Sequence, residues 1–258
     1  MKVAVCLSGQ PRKGLESYPY IFKNIIEPNN ADVFIHMHYD SNNLFMEKSH
    51  ANNGNCILKN GIDTELIQLY QPKKYLIEAP RNFKKSNIQL DEKRLLRSKQ
   101  MNSHKSWSDK EHSEYTIKQI LSMYYSIYKS NELKEIYSNE TGIIYDYVIR
   151  VRFDLMILTP IICKELNPNI LYYIDLGQPD DMISDWLNIG SNAIMNIYAS
   201  QYLNVEYMNT FQYYTLENRI SKEPSTICGG FCEHMLRDLI HLYKIPKKCI
   251  HINVQLCI

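Results

Sequence analysis

Apolar and polar positions along the 258-residue chain fall into blocks with alternately strand-like and helix-like periods. Residues 2–7 are a continuous apolar run that stops at the loop 8–12, Ser-Gly-Gln-Pro-Arg, which predicts a buried parallel strand opening into a tight turn. An amphipathic helix over 18–26 and a strand over 31–40 follow, making a strand-helix-strand unit. Residues 41–61 are polar and Asn-rich and read as a loop, 62–70 have helical periodicity, and 71–78 read as a turn into a third strand. From 79 to 113 the chain is charged with few apolar repeats, the pattern of a lid, a binding loop or a solvated insertion. Residues 113–137 then place Ile117, Ile120, Leu121, Tyr124, Ile127, Tyr128 and Leu133 at helical spacing, which predicts a long helix lying on the sheet.

The block 144–157 is the most informative. From Val148 the residues Val148, Arg150, Arg152 and Asp154 alternate with Ile149, Val151, Phe153 and Leu155, which predicts one strand with a core face and a charged face. Two guanidiniums and a carboxylate at about 7 Å spacing are costly to bury unless they pair or bind something. An internal ion pair that orients the strand and a ligand site are both open readings. Beyond it, 170–175 and 183–190 read as strands, 177–181 as a carboxylate-rich turn, and 191–198 as a helix capped by Ser191. A helix over 224–243 and a last strand over 247–256 carrying His251 complete the pattern. No repeat or composition break divides the chain, so a single domain over 1–258 is expected.

Composition narrows the class. With 45% hydrophobic residues, 22% charged residues and a net charge of +1, the chain has the make-up of a soluble globular α/β protein and no basic excess for nucleic acid. Seven cysteines without zinc-knuckle spacing suit a reducing compartment, with Cys6 as a small core residue. The first apolar run is too short for a signal peptide and no stretch is long enough to span a bilayer, so a cytoplasmic protein, at most peripheral on a membrane, is expected. The sequon at Asn139 therefore carries no weight.

Candidate chemistry follows from the strand ends. A hydroxyl at Ser8, a backbone amide at Gly9 and a guanidinium at Arg12 suit phosphate or nucleotide oxygens, although a turn that needs Gly9 only for its backbone is the plainer reading. His36 and His38 share a strand face with Asp40 beyond them, where satisfied imidazoles are set against metal ligation. Asp185 beside Trp186 is a way to hold a sugar, ring face on indole and hydroxyl on carboxylate, and Trp186 as plain core is the alternative. A Rossmann glycine fingerprint and a Walker loop are both absent.

Four blocks in order, Val3 through the loop 8–12, Asp32-Val-Phe-Ile-His36, Tyr145 through Asp154, and Ile183-Ser-Asp185 with Ile189-Gly-Ser191, resemble the GT-A-like glycosyltransferases of bacterial capsule and lipopolysaccharide clusters and of large DNA viruses. The resemblance implies a GT-A-like, Rossmann-like mixed and mainly parallel sheet flanked by helices, with a nucleotide-binding part over 1–160 and an acceptor-side part over 161–258. It implies transfer of a sugar from a nucleotide-sugar donor, UDP-sugar favoured, to a glycan or lipid-linked saccharide acceptor in surface polysaccharide synthesis. Ser8, Gly9, Gln10, Arg12, His36, Arg150 and Arg152 would then bind the donor, Trp186 the acceptor, and Asp185 would act as general base. The family's Asp-any-Asp metal motif falls here on Arg152-Phe153-Asp154, so Asp154 would hold Mn²⁺ or Mg²⁺ while Arg152 replaces the first acid; His251 would be a late ligand. Two other classes remain: a catalytically inactive sugar-nucleotide-binding or assembly protein, and a sulfo- or phosphotransferase.

Overall fold

The computed structural model describes residues 1–46, 56–83, 99, 106–174, 183–208 and 231–257. The expected turn at 177–181, most of the charged stretch 79–113 and the first residues of the 224–243 helix lie outside the described residues. The strands are β1 (Val3–Gly9), β2 (Asp32–His38), β3 (Phe45–Met46), β4 (Cys56–Ile57), β5 (Lys74–Glu78), β6 (Tyr147–Val151), β7 (Leu155–Ile157), β8 (Leu171–Ile174), β9 (Leu187–Ser191), β10 (Lys247–Ile250) and β11 (Val254–Leu256). The helices are α1 (Gly14–Ile21), α2 (Ile62–Tyr70), α3 (Asp109–Thr141), α4 (Asn192–Ala199), α5 (Gln201–Met208) and α6 (Phe231–Leu242).

Among the described residues seven strands form one sheet in the order β10-β8-β9-β6-β1-β2-β5, in which β9 alone runs against the others. Period-two alternation explains how each strand serves two layers. Val5 and Leu7 of β1, Ile35 of β2, Ile149 of β6 and Ile189 of β9 face one apolar layer with Ile21 of α1 and Leu66 of α2. Ala4, Cys6, Phe34 and Val148 face the opposite layer with Ile127 of α3, Met195 of α4 and Leu236 of α6. The result is a mixed α/β molecule with a mainly parallel sheet covered on both faces, as expected for near-continuous apolar strands. Among the described residues no helix is long and apolar enough to cross a membrane.

Chain order decides where a crevice forms. From β1 the chain passes through α1 to β2 and on to β5 on one side, then returns through α3 to β6 on the other side of β1. At such a reversal the connections leave adjacent strands on opposite faces, and the space beyond their carboxyl ends is open for a ligand.

Four elements depart from the sequence pattern. The single strand expected over 144–157 is two, because the chain turns at Arg152-Phe153-Asp154 and β7 leaves the large sheet to pair antiparallel with β11. Phe153 is driven into the core, close to the place where a Cβ on Gly14 would lie, and its carbonyl accepts a hydrogen bond from Ser17 Oγ. The final strand likewise divides into β10 and β11 around His251. The first helix begins at Gly14, ahead of the predicted start, and continues through a π-helical segment Phe22–Ile26 and a short turn Glu27–Asn29. The long helix starts early as well, at the capping box of Ser108 and Glu111.

Candidate functional site at the carboxyl edge of the sheet

β1 ends at Gly9, whose φ of +118° is a conformation that suits glycine, and a Cβ there would meet nothing within 4 Å. The following loop carries Arg12, also at positive φ, whose Nε donates to Gln10 Oε1 at 3.2 Å. On the neighbouring strand, β6 ends in the 152–154 turn. Because Val151 of β6 is opposite Leu187 of antiparallel β9, the segment entering β9, with Asp185 and Trp186, arrives at the same edge. Ser8, Gly9, Gln10, Arg12, Arg152, Asp154, Asp185 and Trp186 thus come from three parts of the chain to one edge of the sheet.

Asp154 is the centre of the group. Arg152 grips it through two bonds, Nε to Oδ1 and Nη2 to Oδ2, both at 2.8 Å, and Arg12 Nη1 donates to Oδ2 at 3.0 Å. The carboxylate is 2% exposed. Burial would raise its pKa, but Arg152 and then Arg12 outweigh that and hold it below the ordinary aspartate value. Its backbone carbonyl accepts from the Cys257 N–H at 3.0 Å, so the C-terminal ribbon braces the turn. Trp186 lies over the guanidinium of Arg152, 5.4 Å from ring centre to Cζ, and packs its indole against the core. One ring face therefore holds Arg152. Asp185 is 9% exposed beside it.

Arg150 points to the α3 and α4 side. It is 3% exposed, its Nε donates to Ser8 Oγ at 3.3 Å, and its Nη1 is buried without a hydrogen-bond partner among the described residues. Its register partner Asn188 also keeps a buried side-chain oxygen, Oδ1, without a partner, while Nδ2 donates to the Ser184 carbonyl at 2.9 Å.

His36 stands apart from the edge loops. It is fully buried beneath α3, with Nδ1 2.7 Å from Ser126 Oγ and Nε2 3.0 Å from Glu78 Oε1. Burial, with His38 beside it, lowers its pKa to about 4. Glu78 ends β5. Burial opposes its ionisation, yet hydrogen bonds from Arg81, His36 and Tyr125 bring it down to about 2. The partnership of His36, Ser126 and Glu78 carried no sequence signal, because it joins residues 42 and 90 positions apart. His251 is exposed in the connection between β10 and β11, and the ribbon register sets Leu158 against Asn253, several residues along from Asp154.

A divalent cation at Asp154 does not fit the residues present. Both carboxylate oxygens already accept from guanidiniums, and the first position of the triplet is Arg152, one of those donors. Hard cations need oxygen donors, and the donors gathered here suit an anion. No family model matches this chain, and no curated protein sequence matches it either.

Proposed function

We propose that the chain is a nucleotide-sugar-dependent glycosyltransferase whose donor diphosphate lies at the carboxyl edge between β1 and β6. The observation that carries the reading is the convergence of guanidiniums there: Arg12 and Arg152 both donate to Asp154, and Arg150 is buried beside Ser8 with Nη1 unpartnered among the described residues. Guanidinium forks match phosphate oxygens bidentately, and the open space at Gly9 lets backbone approach them. In this reading Arg12 and Arg152 neutralise the diphosphate as it leaves, a role that elsewhere falls to a metal ion. The acceptor hydroxyl oxygen attacks the anomeric carbon, the bond from that carbon to the diphosphate oxygen breaks with its electron pair going to the diphosphate, and Asp185 takes the hydroxyl proton. Trp186 fixes Arg152 and offers its remaining edge to the acceptor. The cytoplasmic location and UDP-sugar preference belong to the same proposal.

A second reading, a sugar-nucleotide-binding protein without turnover, is favoured by the full engagement of Asp154. One experiment separates them. Melting temperature is measured with UDP-, GDP-, CMP- and dTDP-sugars with and without Mn²⁺, on the native chain and on Arg152→Ala, followed by assay of released nucleoside diphosphate. The expected result is a metal-independent rise with one nucleotide class, equivalent to about 2.7 kcal/mol at 100 times Kd, lost in Arg152→Ala. A rise without turnover supports the binding protein, and no rise with any donor overturns both.

A further inference from the structure

We infer that His36, His38 and Glu78 form a binding site for a borderline divalent transition-metal ion of the Zn²⁺ type, separate from the carboxyl-edge group and independent of the glycosyl-transfer reading. His36 and His38 are two residues apart on β2 and so project from the same face, and the parallel pairing of β2 with β5 sets Glu78 directly beside His38. One ligand atom from each of the three lies within 4.8 Å of the others. Zn–N and Zn–O bonds of about 2.0–2.2 Å place tetrahedral ligands roughly 3.4 Å apart, so closure needs shifts of about 1 Å, and the His36 Nε2 to Glu78 Oε1 separation is already 3.0 Å.

The surrounding bonds orient the ligand lone pairs. His38 is 2% exposed, and its Nε2 lies 3.4 Å from the Ser122 carbonyl, which can only accept. Its proton therefore sits on Nε2, and Nδ1 is left as a buried lone pair with no hydrogen-bond partner among the described residues. A buried polar atom of this kind is costly unless something binds it. At His36, Ser126 Oγ lies 2.7 Å from Nδ1 and 3.5 Å from the His36 carbonyl. In the metal-free chain Nε2–H donates to Glu78 Oε1; when an ion takes that place the ring proton moves to Nδ1, the hydroxyl accepts from Nδ1–H and donates to the His36 carbonyl, and the Nε2 lone pair is free to ligate. Both imidazoles thus carry the outer hydrogen bond by which metal-ligating histidines are held in one tautomer. Tyr125 closes the site, edge-on to His36 at 5.4 Å and stacked on His38 at 6.2 Å. Arg81 binds Oε2 of Glu78, which leaves Oε1 for the ion. The Glu78 side chain is 18% exposed and so gives the site its contact with solvent. Two nitrogens and one carboxylate select Zn²⁺ or Co²⁺ over Mg²⁺ and Mn²⁺.

The test uses the full chain, stripped with chelator, and no nucleotide. Co²⁺ should bind one equivalent with the intense visible absorption of a four-coordinate site, displaced by Zn²⁺, and Zn²⁺ but not Mg²⁺ should raise the melting temperature. His38→Asn and Glu78→Gln should each remove the Co²⁺ absorption, and Ser126→Ala should weaken Zn²⁺ binding about 10–100-fold. A native chain without that absorption, or its retention in either ligand variant, overturns the site. If His38→Asn does not fold, Glu78→Gln decides, since its side chain is 18% exposed and its loss opens no core cavity.

Discussion

Asp154 is held by one arginine two residues away and another 142 residues away. Breaking a buried pair by removing the carboxylate leaves two half-buried guanidiniums facing each other, so Asp154→Asn should lower the unfolding free energy by about 3–5 kcal/mol, read from urea denaturation. Arg12→Ala should cost less, because Arg152 keeps its two-point grip. The pH dependence has a definite sign. A carboxyl whose folded pKa is depressed adds stability that is complete above the unfolded value of 3.8 and fades as pH falls below it toward the lower folded value. The acid limb of the stability curve should therefore flatten in Asp154→Asn. Arg150 behaves in the opposite way. Its buried, unpartnered Nη1 is a cost in the free protein, so Arg150→Met should stabilise the unliganded chain by about 1–3 kcal/mol while abolishing any donor-induced rise in melting temperature. A loss of stability in that variant would mean that Arg150 is structural. Sequence alternation marked Arg150, Arg152 and Asp154 as a charged group, and of the two open readings the internal ion pair is observed, between Arg152 and Asp154; the ligand site belongs to the proposal. What alternation does not carry is the contribution of Arg12.

Among the elements, the break between β6 and β7 creates the site. A strand continuing through 152–154 would carry Arg152 and Asp154 along the sheet face, whereas the turn folds Arg152 back onto Asp154. Period-two patterning cannot foretell this, because apolar residues continue through β7 and the partner that draws β7 away, β11, lies about a hundred residues further along the chain. The junction of β9 and α4 depends on one glycine. A Cβ at Gly190 would stand 2.8 Å from Ile194 Cγ2 and 3.2 Å from its Cβ, so Gly190→Ala should destabilise by about 1–3 kcal/mol through overpacking. Adding Ile194→Ala removes Cγ2 from the clash, so the two losses should fall short of their sum, a coupling that a double-mutant cycle measures directly. Additive losses would show that the contact is not the cause.

For the whole molecule, reversal of strand order at β1 is the feature with functional reach. It gathers the loop 8–12, the turn 152–154 and the segment 184–186 at one edge, so a bound nucleotide diphosphate should slow amide hydrogen exchange in those three segments together. Protection at the opposite edge, around 142–146, would displace the proposed pocket. The sequence by itself determined most of the local structure: apolar runs with period two made the parallel strands, Ile62–Tyr70 appeared with the expected limits, and Ser191 caps α4 as read, its Oγ accepting from Ile194 N. Those properties depend on neighbours in the chain, and neighbours are what a sequence displays. Only the tertiary structure decided that Arg12 meets Asp154, that β7 pairs with β11, that Trp186 covers Arg152, and that His36 turns inward to Ser126 and Glu78. Each of these joins residues far apart in the chain, and their meeting is set by the order of strands in the sheet and by the requirement that buried charges and lone pairs find partners.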